Sequence, residues 1–204
     1  MVCGHGAVDD PDASIIFDQC MQHIDLARFD EIRKDIIIIR LGPSDQLLDS
    51  LLSTAKIIWQ LSKREGFEVK VSEALHKGKP VIATRAGGIP LQIQDGKNGF
   101  LVEVGDSDAV AEKSFELFND PQKYKVMSDY AKVSVSDEVG TVGNAVCWLY
   151  LAQKLARGGE FVGNRKWVVD YAREEAKIPW TETENRLPRV DIDHKKTSIL
   201  TTRE

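Results

Sequence analysis

Two carboxylates eight positions apart, Glu65 and Glu73, flank the run Gly66-Phe67-Glu68-Val69-Lys70-Val71-Ser72. The strand-like run Lys56-Ile57-Ile58-Trp59-Gln60-Leu61 comes just before them. A helix is expected over Lys70–Lys77, then Gly78-Lys79-Pro80 and a further strand, Val81-Ile82-Ala83-Thr84. Glu65 is therefore expected at a loop-to-helix junction and Glu73 about two turns into the helix. At 3.6 residues per turn, eight positions return a side chain to within roughly 80° of its start, so the two carboxylates should share one side. A helix N-terminus offers backbone N–H groups and positive dipole character, which suit a phosphate. The amides of Gly66, Phe67, Glu68 and Val69 are thus candidates to hold a phosphate, with Glu65 and Glu73 holding hydroxyls on either side of it. Arg64, with Lys63, supplies the nearby positive charge; it either meets the phosphate or is a surface charge. Taken alone, Glu65 is better read as a residue that favours its own helix dipole, and Glu73 as a solvated or ion-paired glutamate; the surrounding run is what favours function.

Other residues carry weaker signals. Gly4-His5-Gly6 reads as a backbone loop near a ligand; no third glycine follows at the dinucleotide spacing. Nothing supports His5 as a catalytic base. Gly87-Gly88 allows either close backbone approach to a sugar or a tight turn with no ligand. His23, His76 and His194 have no partners at metal spacing, and no Ser/His/Asp or Cys/His arrangement stands out. No metal and no cofactor are expected.

These residues need a scaffold, and the chain supplies alternating strands and helices. Asp12 can cap a helix from Ala13 to Ile24. The run Asp35-Ile36-Ile37-Ile38-Ile39-Arg40-Leu41 suggests a central parallel strand covered on both faces. A short helix from Ser44 or Asp45 to Leu52 follows. Beyond the strand at Pro80–Thr84 come a single turn over Ile89–Gln94, a turn over Asp95–Gly99 and a last strand at Phe100–Val102. Helices are expected over Asp106–Asn119, Pro121–Val133, Asp137 or Glu138 to Arg157, and Asn164–Lys177. Trp148, Leu149 and Leu151 are either core or a face that wants a partner. The tail from Arg186 is polar and expected to be disordered. Strands alternating with helices over short loops argue for an α/β fold, a doubly wound, mostly parallel sheet.

Composition narrows the class. With 204 residues, a 42% hydrophobic share and a formal charge of −5, the chain can bury a core and lacks a nucleic-acid footprint. No apolar run approaches a membrane span, and Met1-Val2-Cys3-Gly4-His5 lacks the pattern of a secretory signal. Cys3, Cys20 and Cys147 are scattered and odd in number, as in a reduced, cytoplasmic protein.

The residues also carry a resemblance. Glu65 and Glu73, followed by Glu73-Ala74-Leu75, Gly78-Lys79-Pro80-Val81-Ile82-Ala83-Thr84, Gly87-Gly88-Ile89-Pro90 and Asp95-Gly96-Lys97-Asn98-Gly99-Phe100-Leu101-Val102, resemble the signature of retaining glycosyltransferases of family 4. Those enzymes have two facing Rossmann-like domains, the GT-B fold. Gly4-His5-Gly6, Val8-Asp9-Asp10-Pro11-Asp12, Leu91-Gln92-Ile93, Ser136-Asp137-Glu138-Val139, Val142-Gly143-Asn144 and Trp148-Leu149-Tyr150-Leu151 are similar to the group within it that contains fungal trehalose phosphorylases and the related trehalose synthases. The resemblance covers most of residues 1–176.

It implies the C-terminal part of a longer enzyme. Residues 1–160 would be a Rossmann-like donor or phosphosugar domain truncated at its N-terminal edge, 161–185 a helical extension and 186–204 a tail. It implies that Glu65 meets hydroxyls of the transferred glucose and acts as the catalytic residue. It implies that Glu73 pairs with the ribose of a sugar nucleotide, a role without an object in a phosphorylase. Leu41, Gly42 and Leu47-Leu48 would frame a base in a nucleotide-using relative. Implied partners are glucose 1-phosphate or an NDP-glucose, trehalose and glucose, and an acceptor-binding domain that precedes this one; a homodimer is left open. The chain alone is expected to be inactive. One departure is plain: the family commonly has Gly at the position of Glu68. A negative side chain there weakens anion binding unless it points away or pairs with Lys70.

Overall fold

Short apolar runs separated by amphipathic segments fold into alternating strands and helices. The computed structural model describes residues 1–4, 12–42, 44–161 and 166–188. Among these are five strands and seven α-helices, in two compact units that divide between Leu51 and Leu52. His5, Gly6, Asp9, Asp10, the cap at Asn164 and the tail from 189 onward lie outside the described residues.

In the first unit, β1 (Val2–Gly4) pairs in parallel with β2 (Ile38–Arg40), and α1 (Asp12–Ile24) lies between them in sequence. Gly4 stands opposite Arg40 at the end of β1. The four-isoleucine run does not make a strand covered on both faces. Ile37 is 46% exposed and Ile38 and Ile39 are half-buried. α2 (Asp45–Thr54) follows β2 in sequence.

The second unit is built on β3 (Ile58–Gln60), β4 (Val81–Thr84) and β5 (Gly99–Val102), parallel throughout and in the order β3-β4-β5. All four residues of β4 are buried, as its continuous apolar sequence requires of a central parallel strand. Between β3 and β4 the chain makes α3 (Val69–His76), and after β5 come α4 (Ser107–Asn119) and α5 (Pro121–Ser134). Ile82, Phe100, Val102, Leu117 and Met127 form the core where β4 and β5 meet α4 and α5. Asp106 and Asp120 cap the two helices through Ala109 N at 2.9 Å and Lys123 N at 2.8 Å. Gly99 lies so close to β4 that a Cβ there would fall 2.2 Å from the Val81 carbonyl oxygen.

The expected long helix after Ser136 is broken. Ser136 caps a 3₁₀ turn over Asp137–Val139, Gly140 is extended, and α6 (Thr141–Ala156) starts beyond it. α7 (Val168–Ala176) packs on α6 through Tyr150, Phe161 and Tyr171, whose rings meet edge to face, and through Glu175, which accepts from Tyr150 Oη at 3.1 Å and pairs with Lys154 at 3.0 Å. Trp148 and Leu149 are 71% and 70% exposed, so neither has a simple core role; Leu151 is half-buried. No helix among the described residues is long and apolar enough to cross a membrane.

Order persists past the expected boundary at Arg186. Leu187 is buried, and its N–H donates to Glu138 Oε2 at 2.6 Å. A polar average over the tail hid one apolar residue with a place to go.

Candidate functional site

The C-terminal ends of β3 and β4 launch two loops, residues 61–68 and 85–88, and most of the sequence-predicted residues sit on them. Ligands of open α/β sheets collect at this edge because the loops there are free of the sheet. Thr84 at the end of β4 ties the loops together: its Oγ1 donates to the Ser62 carbonyl at 2.6 Å. Gly88 N then donates to the Gly66 carbonyl at 2.6 Å. Gly87 has φ +52, and a Cβ on it would lie 1.9 Å from the Glu65 carbonyl oxygen. Gly87 and Gly88 thus approach the Glu65–Phe67 backbone closely.

Glu65 is half-buried in the first loop. Gln60, the last residue of β3, directs its Nε2 at Glu65 Oε1 (3.4 Å), Glu68 Oε2 (3.2 Å) and Ser62 Oγ (2.9 Å). One amide thus gathers the two carboxylates. Arg64 is exposed beside them and makes no ion pair among the described residues. Gly66 is exposed and Phe67 half-buried.

α3 starts at Val69, behind a left-handed residue: Glu68 has φ 60 and ψ 77. Glu65 therefore lies outside the helix, and helical phase does not relate it to Glu73. Glu73 is four residues past the first helical residue, little more than one turn in rather than two. Its side chain is exposed. A Cβ is strained in the left-handed conformation, so the backbone here suits glycine, and Glu68 stands in it at a cost. Glu68 is a working cap even so. It accepts from Lys70 N at 3.4 Å and pairs with Lys70 Nζ at 3.2 Å, its side chain only 10% exposed. The charge that should trouble an anion is therefore partly offset by Lys70. Among the described residues, the N–H groups of Gly66, Phe67, Glu68 and Val69 donate to no protein acceptor.

Two functional supports were not recognised from the sequence. Gln92 is buried. Its Nε2 donates to the carbonyls of Phe67 and, at 3.3 Å, of Glu68, and its Oε1 accepts from Ser72 Oγ at 2.6 Å. Asn98, wholly buried, donates to the Gln92 carbonyl at 3.2 Å and to Ser134 Oγ at 2.9 Å. The available signal was a polar residue inside an apolar run, Leu91-Gln92-Ile93. Three concavities on the second unit, along α7, beside Leu187 and beside Lys123, are lined by none of residues 64–69. No group of three or more His, Cys, Asp or Glu that could hold a metal occurs among the described residues. Gly4 belongs to the first unit, at the end of β1.

Comparison with known proteins agrees with this architecture. The family described as glycosyl transferases group 1 matches residues 22–134, more than half of the chain. A trehalose phosphorylase of Pleurotus pulmonarius is 55% identical over 193 residues, 95% of this chain and 26% of its own length. A trehalose synthase of Pyrococcus horikoshii is 34% identical over 135 residues, 66% of this chain and 31% of its own. Among solved structures, Anabaena HepE in complex with UDP-glucose superposes with a TM-score of 0.61 at 23% identity, over 75% of this chain and 39% of that one, which shows a shared fold. The chain spans about a quarter of the length of its trehalose phosphorylase relatives. Its parallel α/β framework is that of the GT-B glycosyltransferases, and the chain belongs to the glycosyl transferases group 1 family.

Proposed function

We propose that this chain is the phosphosugar-binding part of a retaining trehalose phosphorylase, which converts trehalose and phosphate into glucose and α-glucose 1-phosphate. The observation that carries the reading is the set of amides from Gly66 to Val69, presented at the start of α3 beside the half-buried Glu65. Such amides favour an anion, and a carboxylate at their side fixes sugar hydroxyls. The 55% identity to a fungal trehalose phosphorylase supports the choice of sugar. In the reaction, a phosphate oxygen forms the new bond to the anomeric carbon as the glycosidic bond breaks. The phosphate's proton passes to the departing glucose oxygen on the same face, so the α configuration is kept. Arg64 and the amides stabilise the phosphate; Glu65 orients the transferred glucose. Residues 1–160 would carry this donor-side function and 161–185 would brace it, with an acceptor-binding domain as partner and the cytoplasm as the place of action.

A second reading is trehalose synthesis from a nucleotide-activated glucose. It is favoured by Glu73, exposed on α3 and without a side-chain partner among the described residues, where it could take ribose hydroxyls. A thermal-shift screen of glucose 1-phosphate against ADP-, GDP- and UDP-glucose separates the two. Stabilisation by glucose 1-phosphate alone supports the phosphorylase. A response only to one nucleotide sugar supports the synthase. No response to any of them would leave a non-catalytic, protein-binding role.

A further inference from the structure

We infer that Gln92 is a positioning residue for anion binding, setting the direction in which the Glu68 and Val69 amides point. The inference rests on the phosphosugar reading above and names a part of that site which no comparison assigns. A trans peptide holds its N–H antiparallel to its C=O, and no cis bond occurs among the described residues. Gln92 Nε2 takes the Phe67 carbonyl and the Glu68 carbonyl together. The N–H groups of the same two peptide units, those of Glu68 and Val69, therefore point away from Gln92. The Glu68 carbonyl is also held by Val71 N at 3.1 Å, so Gln92 acts chiefly by keeping the Phe67 carbonyl turned inward and with it the Glu68 N–H turned outward.

The geometry leaves one orientation for the Gln92 amide. The carbonyls of Phe67 and Glu68 only accept, so Nε2 must face them, and Oε1 then accepts from Ser72 Oγ at 2.6 Å. Reversal would set Oε1 against two carbonyl oxygens, whereas the Ser72 hydroxyl can serve either end of the amide. Burial keeps the arrangement: Gln92 is 7% and Ser72 5% exposed, and both line a small cavity that Leu187 and Pro188 also line. A buried network with every member satisfied rigidifies what it holds. The backbone needs this help because Glu68 sits in the left-handed region, where a non-glycine residue does not stay of its own accord. The Gln92 carbonyl is itself held by Asn98, so the chain of support runs from Asn98 through Gln92 to the amides.

Gln92→Glu is nearly isosteric and replaces the donor with an acceptor, and Ser72→Ala removes the hydroxyl that fixes the amide. The test is made on the 204-residue chain, with ¹⁵N amide spectra recorded without ligand and calorimetric titration of glucose 1-phosphate and of inorganic phosphate. In both variants the Glu68 and Val69 amide signals should shift while those of β4 and β5 stay. Both anions should bind about tenfold more weakly to Gln92→Glu, the loss expected when one orienting hydrogen bond is withdrawn. Ser72→Ala should show a smaller loss in the same direction. The double variant should bind no worse than Gln92→Glu alone, since the two residues act as one unit. Unmoved Glu68 and Val69 signals overturn the inference whatever the ligand does. Wild-type binding matched by Gln92→Glu also overturns it while the function stands. Shifted amides in the variants, together with a wild-type chain that binds neither anion, uphold the geometric part and overturn the phosphosugar reading instead.

Discussion

The Cβ that Gly87 lacks would stand 1.9 Å from the carbonyl oxygen of Glu65. The loop after β4 and the loop that carries the candidate catalytic carboxylate are therefore in backbone contact, and the position of Glu65 depends on what residue 87 is. Gly87 also has φ +52, so an alanine there is strained and obstructed at once. Gly87→Ala is expected to cost about 2–4 kcal/mol, combining the left-handed penalty with overpacking against fixed backbone. Gly96 provides the control. Its φ is +78 with nothing within 4 Å of an added Cβ, so Gly96→Ala should cost only about 1 kcal/mol. Urea unfolding with unchanged m-values measures both. Equal losses would show that the Glu65 contact carries no weight.

Glu68 pulls stability and binding in opposite directions. Its left-handed backbone is strained, while its side chain caps α3 and pairs with Lys70. Glu68→Gly relieves about 1 kcal/mol of strain and gives up a cap of similar worth, so the melting temperature should change little. Removing a negative charge beside the Gly66–Val69 amides should tighten glucose 1-phosphate about threefold at low salt, with the gain fading as salt rises. Calorimetry at two salt concentrations reads this directly. Weaker binding would mean that the cap matters more to the amides than the charge does.

The two glutamates of the signature are predicted to separate in a phosphorylase. Glu65 is half-buried and held by Gln60, whereas Glu73 is exposed on α3. In the full-length enzyme, Glu65→Ala should lower kcat on the order of 10²-fold, because a misoriented sugar forfeits the geometry of attack. Glu73→Ala should change kcat/KM by less than about threefold, with no ribose present for it to hold. Comparable losses in steady-state phosphorolysis would move the assignment to a sugar-nucleotide user.

Element types and most boundaries were legible in the sequence, because apolar runs and capping residues act locally. Asp106, Pro121 and Gly158 mark helix ends where they were expected. What was not legible depended on tertiary partners or backbone angles. Nothing in the letters of Glu68 announces φ 60, and that one angle removes Glu65 from the helix and voids the shared-face argument. Gln92 stands between Leu91 and Ile93 with no mark of a role, and in the fold it is a buried hydrogen-bonding node. Gly140 interrupts a helix whose flanks are both helical in pattern, since its extended backbone has no side chain to betray it. Leu187 was lost in a polar average.

Outside the site, the junction of α4 and α5 sets an acid-dependent part of the stability. Glu116 accepts from Lys123 and, at 3.3 Å, from Lys113. The Lys123 hydrogen bond is the main reason its carboxyl is held below the ordinary value, with burial opposing. A carboxyl lowered on folding stabilises the protein above its unfolded pKa, about 4.3, and that contribution fades as the pH falls through the lower folded value. Its side chain is 27% exposed and the lysines more so, which limits the effect to about 1 kcal/mol or less. Glu116→Gln should therefore melt slightly below wild type at pH 7, and the gap should close as the pH falls below the unfolded value and through the lower folded one, where wild type loses the same interaction. Thermal unfolding at stepped pH measures the gap. A difference that stays constant on acidification through that range would assign the lost stability to packing of the Glu116 stem, not to its charge.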